Sequence, residues 1–408
     1  MGRCSHGAKA RRNRIVAALA MALALAATTA AAQKQYDPGA SDTEIKVGNI
    51  STYSGFFSQY GAVARAEAAY FKMINDRGGI NGRKINFISV DNGSDARKSL
   101  DLARTLVERD QVLLIFSAQG AGTNLAIRDY MNQKGVPQLF ASATSSKLND
   151  PSNFPWTIGY QESGRTEAAI FTQYVLLVKP GAKIAVLYGN DETGRDYLAG
   201  VYDALGDKAS STIVKEVAYD GDAQNIGALV AALKDSGANV FFNMAAGRYA
   251  TEAIRAAFDS GWHPMQFIAN MSQSTGAFLD PAGLQKSAGI ISSARSKGWL
   301  SAQARDDPQV RDFLDWMKRY NAGANVSDSA NVYGYGAAQV LVEVLKRCGD
   351  NLTRANVLRQ ATSLDMEVTM LYPGIRIRTS PTDYRPIKQL YLIKFDGRDW
   401  VKFSDVLE

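Results

Sequence analysis

Apolar and polar positions in this chain alternate between two periods. Short runs in which most residues are apolar, Ile45 to Ile50, Lys84 to Val90, Val112 to Phe116 and Val136 to Phe140, read as buried strands. Between them, apolar residues recur at helical spacing. Val63, Ala66, Tyr70, Met73 and Ile74 precede a Gly78-Gly79 stop, Leu100, Ala103, Leu106 and Val107 follow a capping Asp95, and a further helix runs from about Thr123 to Lys134. Strands joined by helices predict an α/β architecture, a parallel sheet covered on both faces.

Near Trp156 to Arg165 the pattern restarts, with a helix up to Val178, a Lys-Pro-Gly break and a strand from Lys183 to Tyr188. The segment KIAVLYGNDETGRDYLAG echoes EIKVGNISTYSGFFSQYG, each a strand, a polar glycine-bearing loop and a helix. Later strands are expected at Thr212 to Ala218, Val240 to Met244, Gln266 to Ala269 and Ile290 to Ala294, with helices at about Ile226 to Ser236 and Tyr249 to Ser260. Helices at Pro308 to Tyr320, Ser329 to Arg347 and Thr353 to Thr362 then lead to a β-rich tail, Gln389 to Phe395 and Trp400 to Phe403. Two lobes follow, one from 43–160 plus 295–364 and one from 161–294 plus 365–408, joined by short crossovers. Open parallel sheets place ligands at the carboxyl ends of their strands. Loops 51–61, 117–122, 141–146, 189–194, 244–248 and 270–275 would then face one cleft, with the crossovers as hinge.

One of those loops carries candidate chemistry. Ala141-Ser142-Ala143-Thr144-Ser145-Ser146 offers backbone N–H groups and four hydroxyls without a bulky side chain, which suits a small anion, most simply a carboxylate. The same residues also serve as ordinary helix caps, so the loop alone decides little.

The amino terminus changes the charge picture. Arg11, Arg12 and Arg14 precede an apolar run from Ile15 to Ala27, and Ala30-Ala31-Ala32 offers a cleavage site, so residues 1–32 read as a secretory signal peptide. The run is well short of the roughly 20 residues a spanning helix needs, so direct membrane insertion is not expected. Arg3, Lys9 and those three arginines account for most of the net charge of +6. The remainder is nearly neutral and has no nucleic-acid footprint. Cys4 leaves with the signal, so Cys348 has no intrachain disulfide partner. With His263 the one remaining histidine, a catalytic triad or a zinc site finds few ligands, and neither a dinucleotide fingerprint nor a P-loop is present. No cofactor or metal is expected.

Taken in order, IKVGNISTYSGFFSQYG, NDRGGINGRKINFISVDNGSD, FASATSSKL, VLYGNDETGRDYLAG, ALVAALKDSGANVFFNMA and SPTDYRPIKQLYLIKFDG resemble the type I periplasmic solute-binding proteins of ABC importers, in the leucine/isoleucine/valine-binding branch. The resemblance implies a two-lobed type I periplasmic-binding-protein fold and a soluble monomer in the periplasm. It also implies a protein that closes on an amino acid or small organic acid and hands it to an inner-membrane ABC permease. On that resemblance Ser142 and Thr144 grip a carboxylate, Ala143 lends its backbone, Gln119 and Gly120 stand at the neighbouring loop, and Tyr60 is an aromatic cleft wall. Amino-acid binders of the family hold the ligand ammonium with an acid and aromatic rings on the second lobe. At the matching positions this chain has Thr193, Ala245 and Met271, with Asp191 as a substitute acid or a helix cap. Stranding a buried charge costs on the order of 3–5 kcal/mol. The departure therefore points to a carboxylate with an uncharged body, set against Phe56, Phe57 and Tyr60. Enzyme and soluble receptor-sensor readings are the rivals, and the few catalytic residue types argue against the first.

Overall fold

A computed structural model describes residues 34–300 and 303–408. The expected signal peptide lies outside the described residues. The first sheet contains β1 (Glu44–Ser51), β2 (Lys84–Asp91), β3 (Leu114–Phe116), β4 (Gln138–Ala141) and β5 (Thr157–Gly159), in the order β2-β1-β3-β4-β5 and all parallel. Val47 of β1 lies opposite Phe87 on one side and Leu114 on the other. Helices cover both faces, which is why β1 is buried without a break from Val47 to Ser51 instead of on alternate residues.

The second sheet repeats this plan with β6 (Ile184–Gly189), β7 (Ile213–Tyr219), β8 (Val240–Met244), β9 (Met265–Ile268) and β10 (Ile291–Ala294), then adds β11 (Tyr391–Phe395) and β12 (Trp400–Lys402) antiparallel at one edge. Its order, β12-β11-β10-β9-β8-β6-β7, contains the same 2-1-3-4-5 arrangement as the first. In each sheet the crevice at the switch point opens at the carboxyl ends of the strands.

The helices that shape the cleft are α1 (Ala62–Asp76), α2 (Ala121–Lys134), α3 (Gly164–Val178), α4 (Glu192–Leu205), α5 (Pro308–Tyr320) and α6 (Ala330–Cys348). α1 buries Val63, Ala66, Tyr70 and Met73, the spacing read from the sequence, and stops where Gly78 and Gly79 take positive φ. At Gly79 a Cβ would sit 2.1 Å from the Arg83 carbonyl oxygen, so the turn excludes any side chain. α6 crosses α1 at Gly334, where a Cβ would meet the Val63 carbonyl oxygen at 2.5 Å. That close approach sets α6 against the cleft.

The returning chain divides differently from the expectation. α5 and α6 pack on the first sheet through Val310, Phe313, Trp316, Val332 and Leu341. The same core also takes Val368, Met370, Ile375, Ile377, Tyr384 and Ile387, residues the sequence placed with the second lobe. Only at Leu390 and Leu392 does the chain enter the core of the second sheet. The short antiparallel pair Asp365–Met366 with Ile377–Arg378 buries Ile377 fully, and that burial ties the segment to the first lobe. No helix among the described residues is long and apolar enough to cross a membrane.

Candidate functional site

Backbone conformation brings two first-lobe loops together. Ser117, just after β3, and Phe140, within β4, hold φ near +53°, an uncommon value for residues with side chains. Beyond them Gln119 and Ser142 form an extra parallel bridge. The Ser142 N–H donates to the Ala118 carbonyl (3.0 Å) and the Gly120 N–H to the Ser142 carbonyl (2.9 Å). The Ser142 hydroxyl donates to Gln119 Oε1 at 3.1 Å. The Thr144 hydroxyl is buried and has no hydrogen-bond partner among the described residues. α2 starts at this junction, and Ala121, Gly122 and Thr123 of its first turn line the same space. A helix start leaves N–H groups free and favours negative charge.

These groups open into a cavity of about 410 Å³ between the lobes. Nine of the ten residues expected at a ligand site line it: Tyr60, Gln119, Gly120, Ser142, Ala143, Thr144, Asp191, Thr193 and Met271. Ala245 does not. It is fully buried in a second-lobe core cluster, its carbonyl accepts the Ser272 hydroxyl at 2.8 Å, and Ala246 lines the cavity instead. Phe56 also departs from the expectation. Its ring stacks on Tyr249 with centroids 4.9 Å apart and lies 4.2 Å beneath the Arg248 guanidinium, which leaves Phe57 and Tyr60 to face the cavity.

Tyr60 spans the cleft. Its hydroxyl accepts from the Gly247 N–H at 3.1 Å and donates to the Met271 carbonyl at 3.4 Å, while burial pushes its pKa up to about 12. The ring is therefore the part of Tyr60 offered to a ligand.

The acids of the second-lobe loop are occupied by other work. Asp191 accepts from the Gly194 N–H at 2.8 Å and caps α4. Glu192 accepts from Lys147 Nζ (2.7 Å) and the Ser145 hydroxyl (3.1 Å). Asp196 takes the Ser146 hydroxyl (2.5 Å) and the Arg165 N–H (3.0 Å), with burial lifting its pKa above the ordinary carboxylate range. Across the cavity Asp328, just ahead of α6, holds the Ser274 hydroxyl (2.9 Å) and the Ala330 N–H (3.0 Å), and burial raises its pKa as well. Burial favours the uncharged acid at both positions.

Several cavity residues were not singled out by the sequence, although one of them, Gln273, lies in a loop expected at the cleft. Tyr333 on α6 presents a hydroxyl without a hydrogen-bond partner among the described residues, as does Gln273 with its Oε1. Trp299, Tyr372 and Trp400 extend the lining with aromatic surface. Arg295 follows β10, and Glu162, in the first crossover, meets it. Arg295 Nη1 lies 2.7 and 2.8 Å from the two Glu162 oxygens, with side chains 8% and 1% exposed. Nearby, Glu167 collects the Ser293 hydroxyl (2.6 Å), the Tyr197 hydroxyl (2.7 Å) and the Asn270 N–H (2.9 Å).

The family profile described as periplasmic binding protein matches residues 44–399, nearly all of the described chain. This chain belongs to the periplasmic binding protein family. Members of this family bind solutes and do not catalyse. The chain is 25% identical over 322 residues to the Leu/Ile/Val-binding protein homolog 1 of Brucella suis biovar 1, covering 77% of this chain and 81% of that one. A branched chain amino acid ABC transporter structure from Thermus thermophilus with bound valine superposes with a TM-score of 0.78 at 17% identity, covering 90% and 97% of the two chains. An R. palustris ABC transporter solute binding protein in complex with 4-hydroxybenzoate gives 0.75 at 18%, again covering 90% and 97%. This periplasmic binding protein thus shares its fold with structures that hold either kind of ligand.

Proposed function

We propose that this protein is the periplasmic component of an ABC importer and that it closes on a small organic acid with an apolar, uncharged body and passes it to an inner-membrane permease. The observation that carries this reading is the asymmetry of the cleft. Hydroxyls without a hydrogen-bond partner among the described residues, those of Thr144 and Tyr333, gather on the first-lobe side. The facing wall offers Thr193, Ala246, Met271 and Phe278, and its nearby acids are engaged by caps and interlobe bonds. Ser142 and Thr144 would take the carboxylate, and Phe57, Tyr60 and Met271 would enclose the body. An ammonium group would enter without a free, ionised partner on the wall where one is needed. The relative and the two structures divide between branched-chain amino acids and an aromatic acid, so they leave the ligand class to the site itself.

Calorimetric titration with leucine beside benzoate- and cinnamate-type acids tests the reading. The expected result is an aromatic or related acid binding at least tenfold more tightly than leucine, about 1.4 kcal/mol. Submicromolar leucine binding with no response to the acids overturns it.

A further inference from the structure

Arg295 lines the cavity, yet the side-chain hydrogen bonds it makes among the described residues all pass through one nitrogen. Nη1 donates to both Glu162 oxygens and to Asn270 Oδ1 at 3.3 Å. Among the described residues none partners Nε or Nη2. The residue is 7% exposed, so this free edge belongs to a buried guanidinium on a cavity wall and not to a solvated surface arginine. Its plane is held in place. Glu162 fixes one end, the Tyr333 ring lies with its centroid 5.3 Å from the guanidinium carbon, and Asn270 is itself anchored by Glu167. Two N–H donors on one rigid edge form a ready fork for oxygen.

We infer that Arg295 is a specificity-determining residue of this cleft, binding through Nε and Nη2 a second oxygen on the ligand, so that the preferred ligand is a hydroxy- or oxo-substituted monocarboxylic acid. This rests on the acid-binding reading above and narrows it. The charge arrangement selects between acceptor types. Glu162 already balances the guanidinium, and Glu167 lies close by with its pKa raised by burial and by Glu162. A second carboxylate at the fork would add negative charge to that group, whereas a hydroxyl or oxo oxygen accepts the two donors without it. A site built to hydrogen-bond an oxygen also discriminates strongly against the analogue that lacks it, because its own donors are then left unpaired.

Titration calorimetry with matched pairs tests this: benzoate with 4-hydroxybenzoate, cinnamate with 4-hydroxycinnamate, and 3-phenylpropanoate with phenylpyruvate. In the wild type the oxygenated member of at least one pair should bind about tenfold or more tightly. Arg295→Lys keeps a cation for Glu162 but loses the fork, and should bring that ratio to within about twofold. The Ser142→Ala, Thr144→Ala double variant should weaken both members and leave the ratio standing. A merely structural arginine would lower both affinities together in Arg295→Lys, and that result overturns the inference. So does equal binding within every pair, which leaves the acid-binding reading intact, or tighter binding of terephthalate than of 4-hydroxybenzoate. Leucine binding without any acid response removes the underlying reading instead. If Arg295→Lys does not fold, the ¹⁵Nε–¹Hε resonance of Arg295 in the wild type decides. It should shift with the oxygenated member only, and an equal shift with both members overturns the inference.

Discussion

The two walls of the cleft come from sheets of the same strand order but do opposite work. On the first-lobe wall the loops after β3 and β4 are tied to each other by the Gln119–Ser142 bridge, and the Thr144 hydroxyl has no hydrogen-bond partner among the described residues. On the second-lobe wall the loop after β6 spends Asp191 on a helix cap and Glu192 and Asp196 on bonds to Ser145, Ser146 and Lys147. Polar side chains on one wall remain available to a ligand, while those on the other hold the lobes together. The contrast continues behind each wall. Glu167 collects three donors and its pKa rises to about 7, mainly through burial. Glu67, fully buried on α1, finds no close hydrogen-bond partner for either oxygen among the described residues, and burial, opposed only by the nearby Ser117 hydroxyl, holds its pKa well above the ordinary range. A repeated fold therefore fixes where loops arrive, and the side chains then decide which wall recognises and which wall clasps.

The strongest way to break this comparison is to remove the donors. Ser142→Ala with Thr144→Ala should cost about 1.5–3 kcal/mol per hydrogen bond to a charged group, hence a hundredfold or more in acid affinity, with little change in melting temperature. Unchanged affinity by calorimetry would place recognition elsewhere.

The acid behind the second wall gives a pH signature. Because Glu167 in the folded protein holds its proton up to about pH 7, against 4.5 ordinarily, its contribution to stability is fully present below about pH 4.5 and is lost as pH rises through about 7. Glu167→Gln should flatten the fall of melting temperature over that window relative to the wild type, a difference of roughly 1–3 kcal/mol. Identical pH profiles for the two proteins would show that Glu167 is ionised throughout.

An acid can also be placed on the wall that lacks a free one. Ala246 is half-buried and lines the cavity. Ala246→Glu should improve leucine binding by about tenfold and weaken the organic acid by a similar factor, about 1.4 kcal/mol each. If the acid instead gains affinity, the second wall does not govern charge selection. The smallest effect belongs to the clasp. Lys147 is 59% exposed in its pair with Glu192, so Lys147→Ala should cost at most about 1 kcal/mol and change affinity by less than about fivefold. A larger loss would mean that this ion pair limits closure.

What the sequence determined by itself was whatever depends on neighbours along the chain. Strand and helix periods fixed the order of elements and the repetition of one plan in two lobes, and the small residues from Ala141 to Ser146 marked the loop that opens on the cavity. The tertiary structure decided what depends on segments far apart in the chain. Whether Ala245 or Ala246 faces the cavity turns on the rotation of the loop after β8 against Ser272. Which lobe holds residues 365–387 turns on which core their apolar side chains can fill. Tyr333 reads in sequence as one more aromatic on an amphipathic helix, and it reaches the cleft because Gly334 lets α6 approach α1 closely. Arg295 was one arginine among serines until folding set it beside Glu162, 133 residues earlier. A local period reports which face of an element is apolar, but a cleft is assembled from the ends of several elements. Only their packing fixes which side chains meet there.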